Sequence, residues 1–88
     1  MSMDAINNTV RQFITSHFSQ ARVATLSDED PLLKNGIVDS LGILDIVSFI
    51  ESHFGIRVAD EELVTEHFGS IRRIAAFIHT KQRETVRT

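Results

Sequence analysis

Ser40 is the residue best placed to do chemistry in this chain. It stands in the run Asp39-Ser40-Leu41, directly after the glycine-containing stretch Gly36-Ile37-Val38. An acid followed by a serine at the start of an apolar periodic segment reads as a helix N-terminus, with Asp39 as the cap and Ser40 as the first helical residue. The backbone N–H groups that the first turn leaves unpaired, together with the helix dipole, favour a negatively charged group attached there. A side chain at that position leaves the fold, so a bulky group can be added without disturbing the interior. Asp39 fixes the helix start and adds local negative charge. The same two residues also fit a helix start with no chemistry at all. A serine nucleophile of the hydrolase kind is excluded twice: Gly-x-Ser-x-Gly is broken by Val38, and 88 residues cannot build the sheet that such an elbow needs.

Other chemistries find less support. The four histidines, His17, His53, His67 and His79, form no i, i+4 pair with a carboxylate in metal-ligand spacing, and cysteine is absent, so no metal site is assigned. Asp28-Glu29-Asp30 lacks the glycine and terminal glutamate of a calcium loop. A net charge of −3 argues against nucleic acid, whose phosphates need a basic face. The charge is unevenly placed. Between Asp39 and Gly69 stand Asp39, Asp45, Glu51, Asp60, Glu61, Glu62 and Glu66 against Arg57 alone. That middle stretch presents a negative field suited to a basic partner surface.

The elements that position Ser40 follow from hydrophobic spacing. Ile6, Val10, Phe13, Ile14 and Phe18 make one stripe on a helix from Asp4 to Phe18, with Asp4 as the expected cap. Residues 19–38 show no sustained period and read as an ordered loop of about twenty residues, a length often functional in a compact domain. Leu32, Leu33, Ile37 and Val38 are expected to pin it to the core. Ser40 to Phe54 is the strongest helix, with Ile43, Ile46, Val47, Ile50 and Phe54 on its stripe and Gly55 at the stop position. A short third helix is expected over Asp60 to His67, ended by Gly69. A fourth runs from the Ser70 cap to about Lys81 on Ile71, Ile74, Ala75 and Ile78, and the polar residues Gln82 to Thr88 are expected to fray. The fold class is therefore all-α: a four-helix bundle in a single domain over 1–88, with an ordered core of about 4–81. No basic and apolar leader opens the chain, and no apolar run reaches the ~18 residues of a spanning helix. A cytoplasmic monomer, not membrane-bound, is expected.

The order of short motifs adds a further expectation. Gly36-Ile37-Val38-Asp39-Ser40-Leu41-Gly42 resembles the phosphopantetheine attachment motif of the acyl and peptidyl carrier protein family, where Asp-Ser-Leu opens helix two. Asp30-Pro31-Leu32-Leu33 is similar to that family's loop, Phe54-Gly55-Ile56 to its exit from helix two, and Glu66-His67-Phe68-Gly69-Ser70-Ile71 to its approach to helix four. The resemblance runs from about Ile6 to Ile78. It implies a non-catalytic carrier whose Ser40, flanked by Asp39 and Leu41, receives 4'-phosphopantetheine from coenzyme A through a phosphopantetheinyl transferase and then holds acyl or aminoacyl cargo as a thioester. Two departures stand out: Gly42 occupies a position where many members carry an acid, and helix two holds only Asp45 and Glu51 after its cap. That pattern is more similar to a stand-alone carrier of a specialised biosynthetic pathway, working with an adenylating acyl- or aminoacyl-ligase and a downstream synthase or transferase. Leu41 and Leu44 fall off the core stripe, so both are expected beside the arm as an apolar docking patch, rimmed by Asp45, Glu62 and Glu66. The competing reading keeps the fold but makes the chain a helical interaction module that is never modified.

Overall fold

The computed structural model describes residues 2–18, 27–34, 36 and 38–87, the last three without their side chains. Among these, four α-helices stand in the order α1 (Met3–His17), α2 (Ser40–Phe54), α3 (Thr65–Phe68) and α4 (Ile71–Arg87), with a 3-10 turn at Asp60–Glu62 and no strand. The core is where the stripes meet. Ile6, Val10 and Ile14 of α1, Ile46 and Ile50 of α2, Phe68, and Ile71, Ile74, Ala75, Phe77 and Ile78 of α4 are all buried. Leu32, Val38 and Ile56 close it from the connecting segments.

Several boundaries differ from expectation. Ser2, rather than Asp4, caps α1: its Oγ accepts from the Ala5 N–H at 3.2 Å, and Asp4 lies in the acid-favouring first turn. The expected third helix is broken. Leu63 sits at φ −81°, ψ 68°, the Val64 N–H donates to the Glu62 carbonyl at 2.9 Å, and only then does α3 begin. The break lets both Leu63 and Phe68 pack on the core; five residues apart, they could not share one face of a continuous helix. The segment after Lys81 continues α4 to Arg87 rather than fraying from Gln82. No glycine or proline stops it, its residues are mostly good helix formers, and Lys81 is held at 3.1 Å by Glu62. Of the four loop anchors, Leu32 and Val38 are buried, Leu33 is 43% exposed, and Ile37 lies outside the described residues. Adjacent leucines in an irregular segment point apart, so only one of the pair enters the core.

Residues 19–26 of the expected loop lie outside the described residues; its second half is sewn down through Asp28. Its carboxylate accepts from the Arg11 guanidinium and, at 2.9 Å, from Asn7 Nδ2, while its carbonyl accepts from the Arg72 N–H at 2.9 Å at the start of α4. Further on, the Leu32 N–H donates to the Gly69 carbonyl at 2.9 Å and the Val38 N–H to the Leu32 carbonyl at 3.2 Å. The hydrogen bond from Arg11, then that from Asn7, holds the Asp28 carboxyl below the usual aspartate range against the opposing cost of partial burial. A carboxyl depressed on folding stabilises the fold fully above its unfolded value and loses that contribution as pH falls through the folded one. Asp28→Asn is therefore expected to lower stability by about 1–2 kcal/mol at neutral pH and to blunt the decline that wild type shows below about pH 4. Urea melts across the acid range check this; a variant that tracks wild type at every pH contradicts it.

Candidate functional site at the start of α2

Asp39 precedes α2 in an extended conformation, and its Oδ1 accepts the Gly42 N–H at 2.6 Å. Its carbonyl takes the Ile43 N–H at 3.2 Å. The cap is thus formed by the residue the sequence indicated, and its carboxylate is turned onto the helix rather than toward Ser40. Ser40 is exposed, and its hydroxyl makes no hydrogen bond among the described residues. The loop before it is fixed through Val38, which is 1% exposed, and through Gly36, whose φ of 70° suits glycine. A buried anchor at Val38 therefore stands on one side of the exposed hydroxyl and a capped helix on the other.

Gly42 is buried, and the structure gives the reason for a glycine there. A Cβ at this position would lie 2.8 Å from Phe18 Cε1, 3.0 Å from Val38 Cγ1 and 3.1 Å from Asp39 Oδ1. The absent side chain lets the end of α1 and the loop close on the first turn of α2, which offsets the propensity cost of a glycine in a helix.

The remaining predicted residues divide. Leu41, next to Ser40, is 75% exposed, and Leu44, one turn after it, is 52% exposed. Asp45 is exposed but has a partner: His17 Nε2 lies 3.1 Å from its Oδ2. Glu66 is exposed on α3, on a groove of about 500 Å³ that it shares with Pro31, Leu33, Lys34 and Arg73. Glu62 is not a free rim acid. It is half-buried; it accepts the Ala59 N–H at 2.9 Å and holds Lys81 Nζ at 3.1 and 3.2 Å. The Ala59 N–H, and then Lys81, keep its carboxyl below the usual glutamate range. Its charge is committed to closing the 3-10 turn onto α4.

Sequence reasoning missed the seam between α1 and α2. Phe13 and Phe49 stack with ring centroids 4.1 Å apart and planes 10° apart. His17 stacks on Phe13 at 4.9 Å, and His53 on Phe49 at 5.2 Å. The signal was available in the i, i+4 pairs Phe13/His17 and Asp45/Phe49, which place two side chains of each helix on one edge. Among the described residues no group of three or more His, Asp or Glu is placed to hold a metal, and no helix is long and apolar enough to cross a membrane.

Compared with known families, residues 18–78 match the family described as the phosphopantetheine attachment site. The chain belongs to this family. Such carrier domains bear a covalently attached 4'-phosphopantetheine group. The residues present fit the group, since an exposed, unengaged serine hydroxyl opens a capped helix, and the dipole at that helix start would favour a phosphate attached there. Among solved structures, a chain described as "Crystal structure of FAD-dependent dehydrogenase" is similar to this carrier domain at 29% identity and a TM-score of 0.69, over 78% of this chain and 97% of that one. No curated protein matches the chain.

Proposed function

We propose that this carrier domain holds acyl or aminoacyl cargo on an arm attached to Ser40 and presents it to partner enzymes of a specialised biosynthetic pathway in the cytoplasm. The observation that carries this is the exposed, unengaged Ser40 hydroxyl at the first residue of α2, in a chain of the attachment-site family. Of the other described serines within the matched region, Ser70 is buried, the Ser27 Oγ accepts the Glu29 N–H at 3.3 Å, Ser48 stands mid-helix and Ser52 in the last turn of α2, both away from any helix start. When bound, the arm supplies a thiol that carries cargo as a thioester, chemistry that a chain without cysteine does not itself provide. The protein's own residues bind and orient. Asp39 holds the helix start, and Val38 and Gly42 close the loop against it. Leu41 and Leu44 offer an apolar patch, and Asp45 and Glu66 give it a negative rim that steers basic partners.

The partners this reading implies are a phosphopantetheinyl transferase, an adenylating ligase and a downstream synthase or transferase. A flavin-dependent dehydrogenase acting on tethered cargo is a further partner class, supported by the solved chain of that description at 29% identity. Intact mass after incubation with coenzyme A and a broad-specificity transferase tests the function. A gain of one phosphopantetheine supports the carrier, and a folded protein that never gains it supports the unmodified interaction module instead. Leu44→Ala tests the docking patch. Because Leu44 is half out of the fold, its truncation is expected to raise a partner's KM several-fold while costing less than about 1 kcal/mol of stability. Unchanged kinetics with both transferase and ligase would remove Leu44 from the surface.

A further inference from the structure

We infer that His17 is a positioning residue for partner docking: it holds the Asp45 carboxylate in one orientation so that a basic side chain of the partner meets a preset acceptor. The inference rests on the docking role proposed for Asp45 and adds a residue from a different helix to it.

Two rungs join α1 to α2. The first is Phe13 on Phe49, with centroids at 4.1 Å. The second is His17 on Asp45, with Nε2 at 3.1 Å from Oδ2. Residues 13 and 17 are one turn apart on α1, and 45 and 49 are one turn apart on α2, so the rungs are neighbours and each fixes the register of the other. The His17 ring is partly exposed but rests against two neighbouring rings. It lies flat on Phe13 at 4.9 Å and 14°, with Phe18 edge-on at 4.8 Å and 80°. A carboxylate only accepts, so Nε2–H is the donor, and the stack on Phe13 favours the ring orientation that aims this hydrogen at Asp45.

The consequence for Asp45 is an acid that is both anchored and open. Its side chain is 58% exposed, and the structure engages it through Oδ2. An aspartate free on a helix surface samples several rotamers, and ordering it on binding weakens the complex. With His17 in place part of that ordering has already occurred. Asp45 also follows Leu41 by one helical turn, so the anchored acid shares an edge with the most exposed leucine beside Ser40. A partner that covers Leu41 brings its own cations to Asp45. The occupant of this edge is the transferase, the partner that must approach the bare Ser40 hydroxyl.

A double-mutant cycle with full-length protein, coenzyme A and a broad-specificity phosphopantetheinyl transferase tests this. The readouts are kcat and the KM for the carrier in wild type, His17→Leu, Asp45→Asn and the double variant, with His17→Gln as the conservative replacement that keeps an N–H donor. His17→Leu is expected to raise KM about 3- to 10-fold, the effect of one side chain left to be ordered on binding, with kcat unchanged. His17→Gln is expected to recover part of that rise. In the Asp45→Asn background, the His17→Leu step is expected to have little further effect, because no anion remains to be aimed. An equal KM rise in both backgrounds shows that His17 acts through the fold alone and overturns the inference. A fall in KM for His17→Leu shows that the ring masks Asp45 rather than presenting it, and also overturns it. An unchanged KM for Asp45→Asn removes Asp45 from docking, and the inference goes with it, while the attachment of the arm to Ser40 stands untouched.

Discussion

Ser40→Ala, incubated with coenzyme A and a broad-specificity transferase under conditions that convert wild type fully, is expected to keep its unmodified mass. Its melting curve is expected to overlay that of wild type to within about 0.5 kcal/mol. The two halves of this result have separate causes. Loading needs an oxygen nucleophile at the start of α2, and alanine has none. Stability needs what the rest of the first turn supplies: the Asp39 carboxylate on the Gly42 N–H at 2.6 Å and Val38 buried behind it, neither of which involves the Ser40 side chain. The hydroxyl makes no hydrogen bond among the described residues, so nothing is left unpaired when it is removed. Alanine is also a slightly better helix former, by a few tenths of a kcal/mol, which opposes any small loss. A variant that still gains mass moves the attachment to another hydroxyl, with the exposed Ser48 and Ser52 of α2 the next to replace. A variant that unfolds shows that Ser40 is part of the fold's support rather than a free projection from it.

The sequence pattern carried the site further than it carried the seams around it. α1, α2 and α4 each bury a face whose residues recur at three and four, and that spacing is visible without coordinates. Their local punctuation is visible too: Asp39 caps α2, Gly55 leaves it at φ 68°, and the Ser70 Oγ takes the Arg73 N–H at 3.2 Å. What stayed hidden depends on residues far apart in the chain. The Asp28 carboxylate is chosen by Asn7 and Arg11 of another element, so in sequence it reads as one acid of a polar turn. Glu62 reads as a surface acid until Lys81, nineteen residues on, is brought to 3.1 Å. Gly42 reads as a weak point in a helix until Phe18 is seen to occupy the space of its missing Cβ. The break at Leu63 was hidden for a different reason. A run of acids followed by apolar residues satisfies a helical pattern locally, and only the need to seat both Leu63 and Phe68 in one core interrupts it.

Ile50→Ala is expected to destabilise the fold more than any substitution above, by about 2–5 kcal/mol, and to lower the melting temperature by about 10–30 °C, since each kcal/mol shifts so small a domain by several degrees. Ile50 is fully buried, as is Ile46 one turn before it, and with the partly buried Ile43 and Val47 they form the aliphatic face that α2 presents to the common core. On its other side α2 meets α1 through rings, Phe49 on Phe13, and through the exposed His17–Asp45 pair, which contributes little to stability. The isoleucines therefore carry most of the seating of this helix, and truncating one leaves a cavity that rigid neighbours close only in part. Domains of this size have about 5–10 kcal/mol to lose, so the variant is expected to sit near its folding threshold at 37 °C. Loading is then expected to fall with the folded fraction and to recover on cooling, whereas Ser40→Ala fails at every temperature. Ile50→Val, which removes a single methylene, should cost only about 0.5–1.5 kcal/mol and leave loading intact. Chemical melts followed by circular dichroism, with loading assayed at the same temperatures, separate these cases. If Ile50→Ala melts within about 1 kcal/mol of wild type, the core does not hold α2 through this face, and the fixed presentation of Ser40 must be sought in the loop that precedes it.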